Sequence, residues 1–192
     1  MSDNTGKKKL IIGITGASGI PLAVEVLRML RELPDYESHL VMSDSARVTI
    51  GYESDMTAEE IEALADVVYD NHAIGAAVAS GSFRTEGMLI VPCSMKTVAG
   101  IWSGYSDSLL LRAADVVMKE RRKLVLAVRE CPFSSIHLRN MKELSEMGAE
   151  ILPMVMTFYN RLSTVEEMVH HMACRCLERF GIEPAGYRRW EG

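Results

Sequence analysis

The chain has 192 residues, 48% hydrophobic and 24% charged, with a net charge of −5. That length fits one domain with a sizeable core, and the acidic balance argues against non-specific nucleic-acid binding. No apolar run approaches the roughly 20 residues that span a bilayer, and the lysine-tipped start lacks the pattern of a signal peptide, so a cytoplasmic protein off the membrane is expected.

Leu10-Ile11-Ile12-Gly13-Ile14-Thr15 reads as a strand over 9–15, apolar enough to be buried on both faces of a parallel sheet. Gly16-Ala17-Ser18-Gly19 follows, and Leu22, Val26, Leu27 and Leu30 then recur at helical spacing over 20–32. Strand, glycine loop and helix are the layout of a phosphate or nucleotide site. The spacing Gly13-x-x-Gly16-x-x-Gly19 is not the dinucleotide fingerprint, which argues against NAD and leaves a mononucleotide open. A strand is expected at 37–42. A helix is expected at 57–66, opened by the capping box Thr57-x-x-Glu60. From its own residues, Glu53 in Gly51-Tyr52-Glu53-Ser54 reads as a surface charge on a loop. The stretch 67–86 has no clear period, and Ala79-Ser80-Gly81-Ser82 reads as a loop.

The next strand, 87–92, ends at Pro92, and Cys93-Ser94-Met95-Lys96-Thr97 opens a helix over 94–101. A helix N-terminus offers unpaired N–H groups and partial positive charge, which favour an anion or the electron-rich edge of a ring. Ser94, Lys96 and Thr97 add side-chain donors. An ordinary capped helix start fits this segment equally well; the second segment of the same kind, at 10–19, favours the ligand site. A helix at 108–120 ends in the solvated run Lys119-Glu120-Arg121-Arg122-Lys123, and a strand follows at 123–128. Arg129-Glu130 sits at that strand's carboxyl end, where Arg129 can fork to a phosphate and Glu130 can orient it or accept a proton, a reading favoured over a surface ion pair in a turn.

Ser134 reads as the cap of a helix at 135–147, followed by a strand at 149–152. Pro153 to Tyr159 is apolar without helical spacing and suits either core-lining chain or a wall for a flat ring, with the Tyr159 hydroxyl as a polar handle. In the last helix, 164–180, Arg175 lies among Met168, Val169, Met172, Cys174 and Cys176, a setting that calls for an anion or an interface. Cys93, Cys131, Cys174 and Cys176 are too scattered for a disulfide framework, and His170, His171 and Cys174 make too small a set for a metal. They read as core thiols and surface imidazoles. Alternating strands and helices imply an α/β domain spanning 1–192, with a parallel sheet, helices on both faces, and flexible or interface tails at 1–8 and 185–192. Both glycine- and serine-rich turns are strand carboxyl ends, so they converge on one site. Thirteen methionines in so short a chain suggest apolar surface buried between subunits.

Together, Thr15-Gly16-Ala17-Ser18-Gly19, Ala79-Ser80-Gly81-Ser82-Phe83, Pro92-Cys93-Ser94-Met95-Lys96-Thr97, Arg112-Ala113-Ala114-Asp115-Val116, Lys119-Glu120-Arg121-Arg122, Leu126-Ala127-Val128-Arg129-Glu130, His137-Leu138-x-Asn140-Met141 and Phe158-Tyr159 resemble the UbiX-like (Pad-type) flavin prenyltransferases. The likeness runs in order from about Leu10 to Trp190. It implies a flavodoxin-like, Rossmann-type fold and a homododecamer. It also implies transfer of a dimethylallyl group from dimethylallyl phosphate to N5 and C6 of reduced FMN, without a metal. The prenylated FMN then serves a UbiD-type decarboxylase. The resemblance places flavin binding on Gly16, Ala17, Ser18, Ser43, Ser94, Met95, Lys96, Thr97 and Arg129. It places donor-phosphate contacts on Lys119, Glu130, Tyr159 and Arg175, with Arg112 from a neighbouring subunit. Ser18, Glu53 and Glu130 become the catalytic set, with Glu53 as the acid/base for ring closure. Met154-Val155-Met156-Thr157, Leu162 and Ile20-Pro21 depart from the family pattern, which bears on the shape of the prenyl pocket. Two other readings are a flavin-binding decarboxylase of related fold and a non-catalytic flavin-carrier subunit. The retained second phosphate site favours the transferase over both.

Overall fold

The computed structural model describes residues 6–187 and 189; the expected tails at 1–8 and 185–192 therefore fall partly on residues outside this range. Six parallel strands, β1 (Lys8–Ile14), β2 (Tyr36–Met42), β3 (Val67–Tyr69), β4 (Gly87–Cys93), β5 (Lys123–Val128) and β6 (Glu150–Pro153), form one sheet in the order β3-β2-β1-β4-β5-β6. Among the described residues, seven α-helices connect or follow them: α1 (Ile20–Arg31), α2 (Asp44–Glu53), α3 (Ala58–Glu62), α4 (Met95–Ser103), α5 (Leu109–Lys119), α6 (Ser135–Glu146) and α7 (Val165–Glu178). This is the doubly wound, Rossmann-type order, and its switch point lies between β1 and β4.

Side chains alternate across the strands, so each central strand feeds two cores. Leu10, Ile12 and Ile14 join Leu89, Val91, Val125 and Ala127 under α1, α2, α3 and α7. Ile11 joins Met88, Ile90, Leu124, Leu126 and Val128 under α4, α5 and α6. These strands are buried on both faces, which is why they read as unbroken apolar runs.

Three local expectations change. Residues 44–53 form α2, which buries only Ala46 and Ile50 and so shows no apolar stripe in sequence. Within 67–86 lies the three-residue edge strand β3. The helix expected at 57–66 keeps its capping box, with Thr57 Oγ1 accepting from Glu60 N at 3.2 Å and Glu60 Oε2 accepting from Thr57 N at 2.7 Å, but it stops at Glu62. The chain is drawn out of the helix at Asp66, whose Oδ2 accepts from Ser38 N at 2.8 Å and Ser38 Oγ at 2.9 Å. That contact lays the chain beside β2.

The thiols of Cys93, Cys174 and Cys176 are buried and only Cys131 is exposed. Burial pushes Cys174 up to about 11 and Cys176 up to about 12. The surface-imidazole expectation fails for His171, which is 4% exposed on the inner side of α7, its ring centroid 5.3 Å from that of Tyr187.

Candidate active site

Thr15 stitches the two strand-end turns together. Its hydroxyl donates to the Pro92 carbonyl at 2.7 Å and accepts from Ser94 N at 2.9 Å. The β1 and β4 turns are thereby held side by side at the switch point. Gly16 lies so close to α2 that a Cβ there would stand 2.5 Å from the Ser45 Cβ, so no larger residue fits without moving the helix. Gly19 adopts φ 130° at the start of α1, against Pro92.

Between the N-termini of α2 and α4 lies a crevice of about 480 Å³ lined by Thr15, Gly16, Ser43, Ser45, Ser94, Lys96 and Thr97. Ser43 caps α2 by accepting from Ala46 N at 3.2 Å, and Ser94 caps α4 by accepting from Thr97 N at 3.3 Å. Both capping serines also face the crevice, so each serves the helix and the site at once. The Met95 side chain is buried in the core and does not line the crevice. Asn71, absent from the sequence-level set, lines the same crevice and accepts from Leu110 N through Oδ1 at 3.1 Å, capping α5. Hydroxyls, a lysine and open helix N-termini form a donor set for the phosphate and polar edge of FMN, with Asp44 and Asp107 also on the crevice wall, and the volume lies in the range of small-ligand sites.

Glu53 closes α2, and its carboxylate sits on the N-terminus of α1. Oε2 accepts from Gly19 N at 2.8 Å and from Ile20 N at 2.9 Å. Burial alone would raise its pKa; hydrogen bonds from the Ser18 hydroxyl and those two amides, with the Arg129 charge, outweigh burial and hold it below the usual carboxylate value. Ser18 and Glu53 therefore act on the same helix start, with the Arg129 charge in electrostatic range, and the reading of Glu53 as a solvent-facing loop charge is corrected. Glu130, next along, turns its Oε1 back to accept from Cys131 N at 3.0 Å.

The other expected donor-phosphate residues separate. Tyr159 and Arg175 line a second pocket, of about 500 Å³, beside β6. Val128 pairs with Pro153, so this pocket opens one strand out from where Arg129 leaves β5. Arg112 is half exposed on α5 and paired with Asp115 at 2.6 Å. Lys119 ends α5 at the amino end of the strands, 3.1 Å from Glu120, far round the sheet from Ser18 and Glu53. The crevice, the Ser18–Glu53 pair and the Tyr159–Arg175 pocket are separate places on one chain, and Lys119 belongs to none of them.

A Rossmann-type domain with a hydroxyl-lined crevice at its switch point and a separate cationic pocket beside it defines a nucleotide-cofactor protein. A protein-family model described as Flavoprotein matches residues 1–176, and the chain belongs to that family, among its UbiX-like flavin prenyltransferases. It is 50% identical over 184 residues to a probable UbiX-like flavin prenyltransferase of Sedimentibacter hydroxybenzoicus, covering 96% of this chain and 97% of that one. It is 49% identical over 187 residues to the flavin prenyltransferase UbiX of Escherichia coli K12, covering 96% and 99%. Among solved structures, AnUbiX (PadA1) in complex with FMN and dimethylallyl pyrophosphate superposes with a TM-score of 0.95 at 46% identity, covering 97% and 98%. A dodecameric protein of Escherichia coli O157:H7, described as an FMN-dependent UbiX-like decarboxylase, gives 0.94 at 53% identity, covering 96% and 100%. The cysteine decarboxylase TvaF, at 15% identity and a TM-score of 0.62, shares the fold alone.

Proposed function

We propose that this chain is a flavin prenyltransferase that transfers a dimethylallyl group from dimethylallyl phosphate to N5 and C6 of reduced FMN. Gly16, Ala17, Ser43, Ser94, the Met95 amide, Lys96 and Thr97 hold the flavin mononucleotide, and Arg129 reaches it from β5. Bound reduced FMN supplies the electron-rich ring positions that the allyl group joins. The chain's own work is to hold the departing phosphate and to take up a proton. Tyr159 and Arg175 supply a hydroxyl and a guanidinium for the phosphate, in a pocket where such contacts are stronger than in open water. Glu53, kept ionised by Ser18 and the α1 amides, is in the form that accepts a proton.

The observation that carries this reading is that the chain has, besides the hydroxyl-lined crevice and the Ser18–Glu53 pair, a separate pocket holding Tyr159 and Arg175. A flavin carrier needs no such pocket. The decarboxylase description attached to the Escherichia coli O157:H7 structure is the specific observation for a second reading. Anaerobic incubation with reduced FMN and dimethylallyl phosphate, followed by mass analysis of the released flavin, separates them. A flavin heavier by one dimethylallyl group is expected. Unmodified flavin, with decarboxylation of a hydroxybenzoate or cinnamate by this chain alone, overturns the proposal.

The prenylated FMN serves a UbiD-type decarboxylase, and the working assembly is a homododecamer, as in the related Escherichia coli structure. Among the described residues no helix is long and apolar enough to cross a membrane; a cytoplasmic site of action is part of the proposal.

A further inference from the structure

The segment after α7 folds back onto the helix face that carries Arg175. His171, Arg175 and Glu178 are four and three residues apart, so they stand one above the other on that face. The Ala185 carbonyl lies 3.1 Å from His170 Nε2. Tyr187 then rests along the stripe, its ring beside His171. Arg175 Nη1 donates to Glu178 Oε2 at 2.6 Å and to the Tyr187 hydroxyl oxygen at 3.2 Å. The same hydroxyl donates to Glu178 Oε2 at 3.3 Å. Arg189 Nε takes the other carboxylate oxygen at 3.4 Å.

This arrangement has a consequence for Arg175. A guanidinium and a carboxylate left to themselves close a two-pronged pair that uses two N–H edges. Here Arg189 holds Glu178 Oε1, and the Tyr187 hydroxyl shares both Glu178 Oε2 and Arg175 Nη1. Among the described residues, every Arg175 hydrogen bond leaves from Nη1, and none engages Nε or Nη2. The pocket they share also holds Thr157, whose Oγ1 is buried without a hydrogen-bond partner. Guanidinium N–H groups beside an unpaired hydroxyl are the chemistry of a phosphate site.

We infer that Tyr187 is a positioning residue for the phosphate donor, acting through Arg175: its hydroxyl ties Nη1 to Glu178 Oε2 while Arg189 holds Oε1, which fixes the guanidinium on one nitrogen. The inference rests on the reading of this pocket as the donor site of a prenyltransferase. Tyr187→Phe keeps the ring and removes the hydroxyl. With dimethylallyl monophosphate as donor, its KM should rise about tenfold, the scale of one lost hydrogen bond to a charged group. The kcat, the FMN affinity and the melting temperature should stay at wild-type values. Arg189→Ala, which frees the other Glu178 oxygen, should raise KM in the same direction. In an Arg175→Ala background, Tyr187→Phe should add nothing to the donor dissociation constant, because the residue through which it acts is gone. An unchanged KM in both single variants overturns the inference, as does an equal loss in the Arg175→Ala background. If wild-type protein forms no prenylated flavin at all, it is the prenyltransferase reading that falls.

Discussion

Glu53 occupies a position that an anion would otherwise take. Its carboxylate satisfies two orphan amides at the start of α1 and holds the Ser18 hydroxyl, so α1 is closed to a ligand phosphate while α2 and α4 remain open. The pH dependence follows from its lowered pKa. The folded value lies below the ordinary 4.5, so the unfolded chain binds the proton more readily. The stability supplied by ionised Glu53 is present above 4.5 and is lost as pH falls through the folded value. Glu53→Gln should therefore destabilise the protein at pH 7, and the gap from wild type should narrow in acid, as read by urea denaturation at both pH values. The same variant should still bind FMN but stall prenyl transfer, because the amide cannot take up a proton. A gap that widens in acid, or full turnover by the variant, contradicts the role. Nothing in Gly51-Tyr52-Glu53-Ser54 itself points to this position. The partners, Gly19 and Ile20, are more than thirty residues away, and only the family likeness brought Glu53 into view.

At the scale of elements, the central strands and the helices with a full apolar stripe were legible, because burial on both faces or along one stripe leaves a periodic mark. The elements that hide are those that bury little. α2 contributes two buried residues and β3 is a short edge strand, yet α2 supplies Ser43, Ser45 and Glu53 to the site. The Thr15 bridge was hidden for another reason: it joins residues nearly eighty positions apart, although a polar residue ending an apolar strand was its one visible sign. The turn at Ser94 admitted two readings in sequence, helix cap or ligand donor, and the geometry supports both. Ser94→Ala decides how far each holds. Loss of the cap should cost about 1 kcal/mol of stability by denaturant unfolding. If the hydroxyl also holds the cofactor, FMN affinity measured by flavin fluorescence should fall as well. Stability loss with unchanged affinity leaves Ser94 a cap and nothing more.

The whole molecule raises a question that one chain does not answer. Val155, Met156, Phe158 and Val165 are 60%, 62%, 73% and 71% exposed along one loop and the start of α7, an apolar surface that needs covering. Lys119, which the family likeness assigns to the donor phosphate, is carried by α5 on the face of the sheet opposite α7 and Arg175. If neighbouring copies cover the apolar loop, the same packing can bring Lys119 of one copy to the donor pocket of the next, which is the arrangement the proposed function predicts. Closed symmetry would repeat that exchange at every subunit. Two variants test it, Lys119→Ala and Arg175→Ala, each expected to be nearly inactive in prenyl transfer when prepared alone. Co-expression of the two chains makes mixed assemblies. Where an Arg175-bearing chain meets a neighbour that bears Lys119, a complete site forms. With random mixing about a quarter of the sites should be complete, and activity should recover to that order. If Lys119 served its own chain's site, every site would lack one of the two residues and mixing would recover nothing. The same preparations, run on light scattering, must show intact oligomers. Recovery from chains that remain monomeric would contradict the shared site.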